Sequence, residues 1–128
     1  MMTKAQQNSI QVDVSTHYIE GQSNPAEDNY VFSYTITIRN TGSTGAQLIS
    51  RHWLITDADG GVQEVFGEGV VGQQPFLQPG EDFSYTSGTS ISTPVGTMQG
   101  SYQMRSEAGI TFEAPISPFT LAMPHILH

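Results

Sequence analysis

The run from Tyr30 to Arg39 constrains this chain more than any other stretch. Tyr30, Phe32, Tyr34, Ile36 and Ile38 are apolar or aromatic, while Ser33, Thr35, Thr37 and Arg39 between them are polar. A period of two sends successive side chains to opposite faces of a β-strand, so one face of this strand must be buried against a second layer. A helix would scatter the same residues around its circumference. Asn40-Thr41-Gly42-Ser43-Thr44-Gly45 then reads as a loop.

Weaker copies of the pattern recur along the chain. Val12, Val14, Thr16 and Tyr18 alternate with Asp13, Ser15 and His17. Between Gln47 and Asp57, the alternation puts Ile49, Trp53 and Ile55 on one face and Leu48, Ser50, His52 and Leu54 on the other. Asp57-Ala58-Asp59-Gly60-Gly61 is a turn, its Asp-Gly pair suited to positive φ, and Val62–Phe66 returns as the hairpin partner. Phe83 and Tyr85, then Met98, Gly100, Tyr102 and Met104, then Ile110 and Phe112 repeat the alternation, and Phe119–Ala122 closes the sheet. Thr86–Ser90 reads as a polar crossover, and Gly67–Glu81 as a surface loop. Gly, Pro, Ser and Thr interrupt every candidate helix.

Seven to eight strands at this spacing predict an all-β fold, an immunoglobulin-like or fibronectin type III-like antiparallel β-sandwich. At 128 residues, one domain is expected over 11–123, with a flexible tail at 1–10 and a C-terminal tail at 124–128. The chain has no Cys, so interdigitated side chains alone must hold the layers, with Trp53 at their centre. The same absence removes disulfides, Cys-ligated zinc, iron–sulfur clusters and thiol catalysis. The first residues are polar and lack an apolar export segment, which makes the cytoplasm the expected compartment.

Four Lys and Arg against twelve Asp and Glu give a net charge of −8. The four cations, Lys4, Arg39, Arg51 and Arg105, lie in four separate segments, so no basic face is expected for nucleic acid. The negative balance also works against anionic membranes. His17, His52, His125 and His128 show no metal-ligand spacing, and Asp57 and Asp59 read as turn formers, so no metal site is expected. No G-x-S-x-G occurs, and Glu27-Asp28 and Glu81-Asp82 are sequence neighbours rather than a facing acid–base pair, so no catalytic residue is assigned.

Gly67-Glu68-Gly69-Val70-Val71-Gly72 matches G-x-G-x-x-G. That spacing holds a pyrophosphate where a helix springs from the last glycine. Here Gln73-Gln74-Pro75 follows, so the pattern reads first as a structural turn or bulge. A weak anion or pyrophosphate site at Gly67, Gly69 and Gly72 is the functional alternative.

Together these segments resemble the ApaG family, also called CorD. The resemblance runs from about Val12 to His128. It is carried by Arg51-His52-Trp53-Leu54-Ile55-Thr56-Asp57, by Gly67–Pro75, by Leu77-Gln78-Pro79-Gly80-Glu81, by Tyr85-Thr86-Ser87-Gly88 and by Thr93–Met104. It implies a fibronectin type III-like sandwich and a small bacterial protein of unsettled biochemical role. It also implies an association with cobalt resistance and magnesium efflux, and protein interaction as the role suggested for similar eukaryotic domains. The family's glycine signature, discussed as pyrophosphate-binding, falls on Gly67, Gly69 and Gly72.

The expected function is therefore a non-catalytic module that binds an unidentified protein partner, with homodimerisation plausible and no cofactor. Partly apolar outer positions such as Leu48 and Leu54 are its motivation. The alternatives are a weak pyrophosphate- or nucleotide-binding protein or hydrolase using residues 67–72 with Arg51 or Arg105, and a cobalt or magnesium sensor using His17, His52 and surface carboxylates.

Overall fold

The computed structural model describes residues 8–124. The expected tails fall mostly outside that range, as do His125 and His128.

Eight antiparallel strands form two sheets packed face to face. The three-stranded sheet has the order β1 (Ile10–Tyr18), β2 (Tyr30–Asn40), β6 (Asp82–Ile91). The five-stranded sheet runs β4 (Val62–Glu68), β3 (Ala46–Asp57), β7 (Val95–Ser106), β8 (Thr111–Ala122). The short β5 (Phe76–Leu77) joins the end of β3 on the same side as β4. No helix among the described residues is long and apolar enough to cross a membrane.

β2 follows its sequence pattern throughout. Tyr30, Phe32, Tyr34, Ile36 and Ile38 are buried, and the residues between them face outward. Trp53 lies at the core, edge-on to the rings of Tyr34, Tyr102 and Phe119. Such edge-to-face pairs add to the burial energy of large rings. Gly100 sits opposite Trp53, where a Cβ would come within 2.0 Å of the His52 carbonyl oxygen. Only glycine lets β3 and β7 approach this closely.

β3 departs from strict alternation. Ile49 is an extra residue between the pairs Leu48↔Met104 and Ser50↔Gln103, which makes a β-bulge. Before it, even positions face the core; after it, odd positions do. Leu48, expected on the outer face, is therefore fully buried together with Trp53 and Ile55. A second bulge at Ser117–Pro118 lets β8 continue as one strand from Ile110's neighbour Thr111 to Ala122.

Two other expectations are corrected. Thr86–Ser90 is not a crossover but part of β6, paired with β2 from Val31 to Thr35. The stretch Gly67–Glu81 is not loop throughout. It contains β5 and buries Val70 and Leu77.

Asn40 and Asp57 are paired, whereas the buried Trp53 Nε1 has no hydrogen-bond partner. Asn40 donates from Nδ2 to the carbonyls of Thr44 and Leu77 and accepts from the Gly42 N–H. In the β3–β4 hairpin, Asp57 accepts N–H bonds from Gly61 and Asp59, which with the Ser92 hydroxyl outweigh desolvation and hold its carboxyl below the usual range.

Tyr85 of β6 and Tyr102 of β7 bond hydroxyl to hydroxyl at 2.5 Å across the two sheets. Burial pushes both phenols upward, so the bridge stays neutral. Removing one hydroxyl strands the other in the interior. Tyr85→Phe should cost about 1–3 kcal/mol, and Tyr85→Phe with Tyr102→Phe less than the sum of the two single changes. Urea unfolding of the four proteins in that cycle measures it; simple additivity would show that the hydroxyls do not support one another.

Candidate interaction surface

The outer faces of the two sheets differ in chemistry. On the three-stranded sheet, Thr35 bonds Thr86 at 2.7 Å, Thr37 bonds Ser84 at 2.7 Å, and Arg39 pairs with Asp82 at 3.4 Å. These rungs are polar and satisfied. On the five-stranded sheet, Val62 and Phe66 of β4 and Phe76 of β5 point to solvent, while Leu77 of β5 enters the core. Phe66 is 69% exposed, Val62 61% and Phe76 45%.

The backbone of β4 explains that orientation. Asp57 N–H donates to the Gly61 carbonyl at 2.9 Å and Gly69 N–H to the Ile49 carbonyl at 2.8 Å. Both bonds lie in the register of the β3–β4 ladder. Antiparallel bonding alternates, so Gln63, Val65 and Gly67 turn their N–H and C=O groups toward β3. Val62, Glu64 and Phe66 turn theirs toward the open edge, as Glu68 does its N–H, and the side chains of all four share the outer face.

Two contacts order that face. The Phe66 ring lies flat on the His52 imidazole, with centroids 4.1 Å apart and planes 1° from parallel. Glu64 Oε2 meets His52 Nε2 at 3.1 Å. The aromatic and the carboxylate thus hold one histidine from two sides.

The glycine-rich segment lies at the end of β4, seated on the bulge of β3. The Ile49 carbonyl accepts from the Gly69 N–H and from Gln74 Nε2, each at 2.8 Å. Val70 and Gln73 exchange two backbone bonds, and Val71 and Gly72 between them form a tight turn with φ of 42° and 80°. Positive φ at both central residues is the type I′ arrangement.

Each glycine of the motif has a local reason. Gly67 lies under the Arg51 guanidinium, where a Cβ would meet it at 2.6 Å. At Gly69, φ is 62° and a Cβ would meet the Gln73 carbonyl oxygen at 2.3 Å. Gly72 supplies the second positive φ of the turn. No helix follows.

Arg51 is the cation that the structure brings to these glycines. Its Nη1 donates to the carbonyls of Glu68 at 3.0 Å and Gly69 at 2.8 Å. Arg105 lies on the outer face of β7 opposite Gln47. His17 and His52 project from the outer faces of different sheets, so they do not meet. Among the described residues, no three of His, Cys, Asp and Glu gather as a metal site.

Sequence reasoning missed the exposed Val62, Phe66 and Phe76 on this outer face and the stacking of Phe66 on His52. A signal was present: in Val62–Glu68 the apolar spacing Val62, Phe66 has the parity opposite to the core-facing Trp53 and Ile55, given the hairpin register.

The ApaG domain family model matches residues 20–106. Protein ApaG from Azoarcus sp. strain BH72 is 58% identical over 127 residues, which covers 99% of this chain and 100% of that protein. Protein ApaG from Thiobacillus denitrificans is 60% identical over 127 residues with the same coverage. A crystallised protein from Bordetella pertussis is similar in structure, with a TM-score of 0.91 and 55% identity over 94% of this chain and 98% of that one.

Val71 is a β-branched residue at positive φ and 54% exposed, a conformation that asparagine or glycine accepts far more readily. Val71→Asn should stabilise the protein by about 1 kcal/mol, read as a higher thermal midpoint. An unchanged midpoint would show that this backbone position carries no strain.

Proposed function

The chain belongs to the ApaG family, and from that premise we propose that it is a non-catalytic, cytoplasmic protein-interaction module whose partner docks on the outer face of the five-stranded sheet around Phe66. The observation that carries this reading is the concentration of exposed Val62, Phe66 and Phe76 on one side of one sheet, while the other sheet presents paired hydroxyls. Exposed aromatics beside an ordered polar rim are the usual material of binding surfaces. The metal association implied by the family is indirect on this reading and acts through the partner.

A second reading, a weak pyrophosphate- or nucleotide-binding loop at Gly67, Gly69 and Gly72, draws support from the Arg51 guanidinium beside them. The Gly69, Val70 and Gln73 amides already donate to carbonyls, which leaves Val71 and Gly72 as the amides to watch. Titration with pyrophosphate should move their NMR signals, less so in Arg51→Gln; no movement at millimolar ligand removes this reading.

For the first reading, immobilised wild-type protein and a folded Phe66→Arg variant are exposed to cell extract. A protein retained by the wild type and lost from the variant is the expected result. Identical sets on both would sink the proposed surface.

A further inference from the structure

The five-stranded sheet ends in two very different edges. At β8, Pro115 and Pro118 carry no N–H and the Ser117–Pro118 bulge interrupts pairing, both recognised ways of closing an edge to further strands. At β4 there is no proline, no lysine and no bulge in the pairing to β3. All of its residues but Gly67 are exposed. The N–H and C=O groups of Val62, Glu64 and Phe66 and the N–H of Glu68 point outward, as the register requires, while the Glu68 carbonyl is taken by Arg51 Nη1.

We infer that β4 accepts an added antiparallel strand from another protein, and that this strand alternates basic and apolar residues on the face shared with Val62, Glu64, Phe66 and Glu68. The inference rests on the interaction-module reading and names the partner's chemistry. Along that face β4 reads apolar, acidic, apolar, acidic. Side chains directly opposite in a ladder are close neighbours, and opposite charges there are favourable. A guest strand therefore meets Glu64 and Glu68 with Lys or Arg, and packs Val, Ile or an aromatic against Val62 and Phe66. Main-chain bonds to the outward groups supply affinity, and the alternate side chains supply selectivity.

A second copy of this chain is the wrong guest. In every two-fold antiparallel register that pairs two or more of the outward residues of each β4, a glutamate of one β4 faces a glutamate of the other, directly or diagonally. Like charges so placed are destabilising. The net charge of −8 on each molecule adds to the repulsion.

The test uses the full-length protein and two short synthetic peptides. One alternates lysine and valine on one face with threonine on the other; its control has glutamate in place of lysine. Amide exchange and calorimetry are read together. The lysine peptide should bind, more weakly as salt rises, and should slow exchange of the Glu64 and Phe66 amides, with little change at Gln63 and Val65. The glutamate peptide should not bind. Glu64→Gln with Glu68→Gln should weaken binding roughly threefold to tenfold, the scale of two cross-strand charge pairs. Glu64→Pro removes an outward donor and spares the ladder to β3, so it should abolish binding while the thermal transition persists. Should that variant fail to fold, the double glutamine variant and the amide map still decide.

Equal binding of both peptides overturns the inference. So does no binding at millimolar lysine peptide, or a wild-type dimer whose Glu64 and Phe66 amides are already protected. If a cellular partner is lost on Phe66→Arg but leaves those two amides unaltered in the complex, the surface stands and strand addition falls.

Discussion

One extra residue in β3 organises much of this molecule. Inserting Ile49 between Leu48 and Ser50 reverses the facing of every later side chain in the strand. Ala46 and Leu48 on one side of it, and Trp53 and Ile55 on the other, all reach the same core. The reversal also puts Arg51 on the core-facing parity, from which it reaches the Glu68 and Gly69 carbonyls. The Ile49 carbonyl takes the Gly69 N–H and the Gln74 amide. The glycine-rich segment is thus the counterpart of the bulge: a chain that must leave β4, turn tightly and rejoin the same side of β3 as β5.

The apolar surface at β4 follows from the same register. Gln63, Val65 and Gly67 share the inner parity with Trp53 and Arg51, so Val62 and Phe66 have no interior to enter. Their exposure is dictated by the pairing and is not a packing accident. His52, held between the Phe66 ring and the Glu64 carboxylate, gives this outer face a fixed shape.

The two-layer architecture was legible because β2 alternates without interruption over its length, and the absence of a helix after Gly72 was legible in Pro75. Leu48 was misplaced because a bulge leaves no mark in periodicity: Leu48 and Ile49 are both apolar, and only the pairing with Met104 and Gln103 shows which one is extra. Thr86–Ser90 looked like loop because its side chains are small and polar. Its place in β6 is set by backbone pairing with Val31–Thr35, with Gly88 opposite Ser33. Leu77 hid in a stretch rich in Gly, Pro and Gln, where two residues of strand are too few to show a period. The glycines at 67, 69 and 72 were found as a motif, but their contacts with Arg51, Gln73 and the β3 bulge depend on tertiary approach.

The prolines of β8 have an effect at the scale of many molecules. Growth of a sheet into a fibre needs a donor rim and an acceptor rim on each unit. Here the β8 rim is capped by Pro115, Pro118 and the bulge at Ser117–Pro118, which works against head-to-tail growth through both rims. The apolar margin of phenylalanine and valine at β4 is thus set against an opposite rim that is poorly built to extend a sheet.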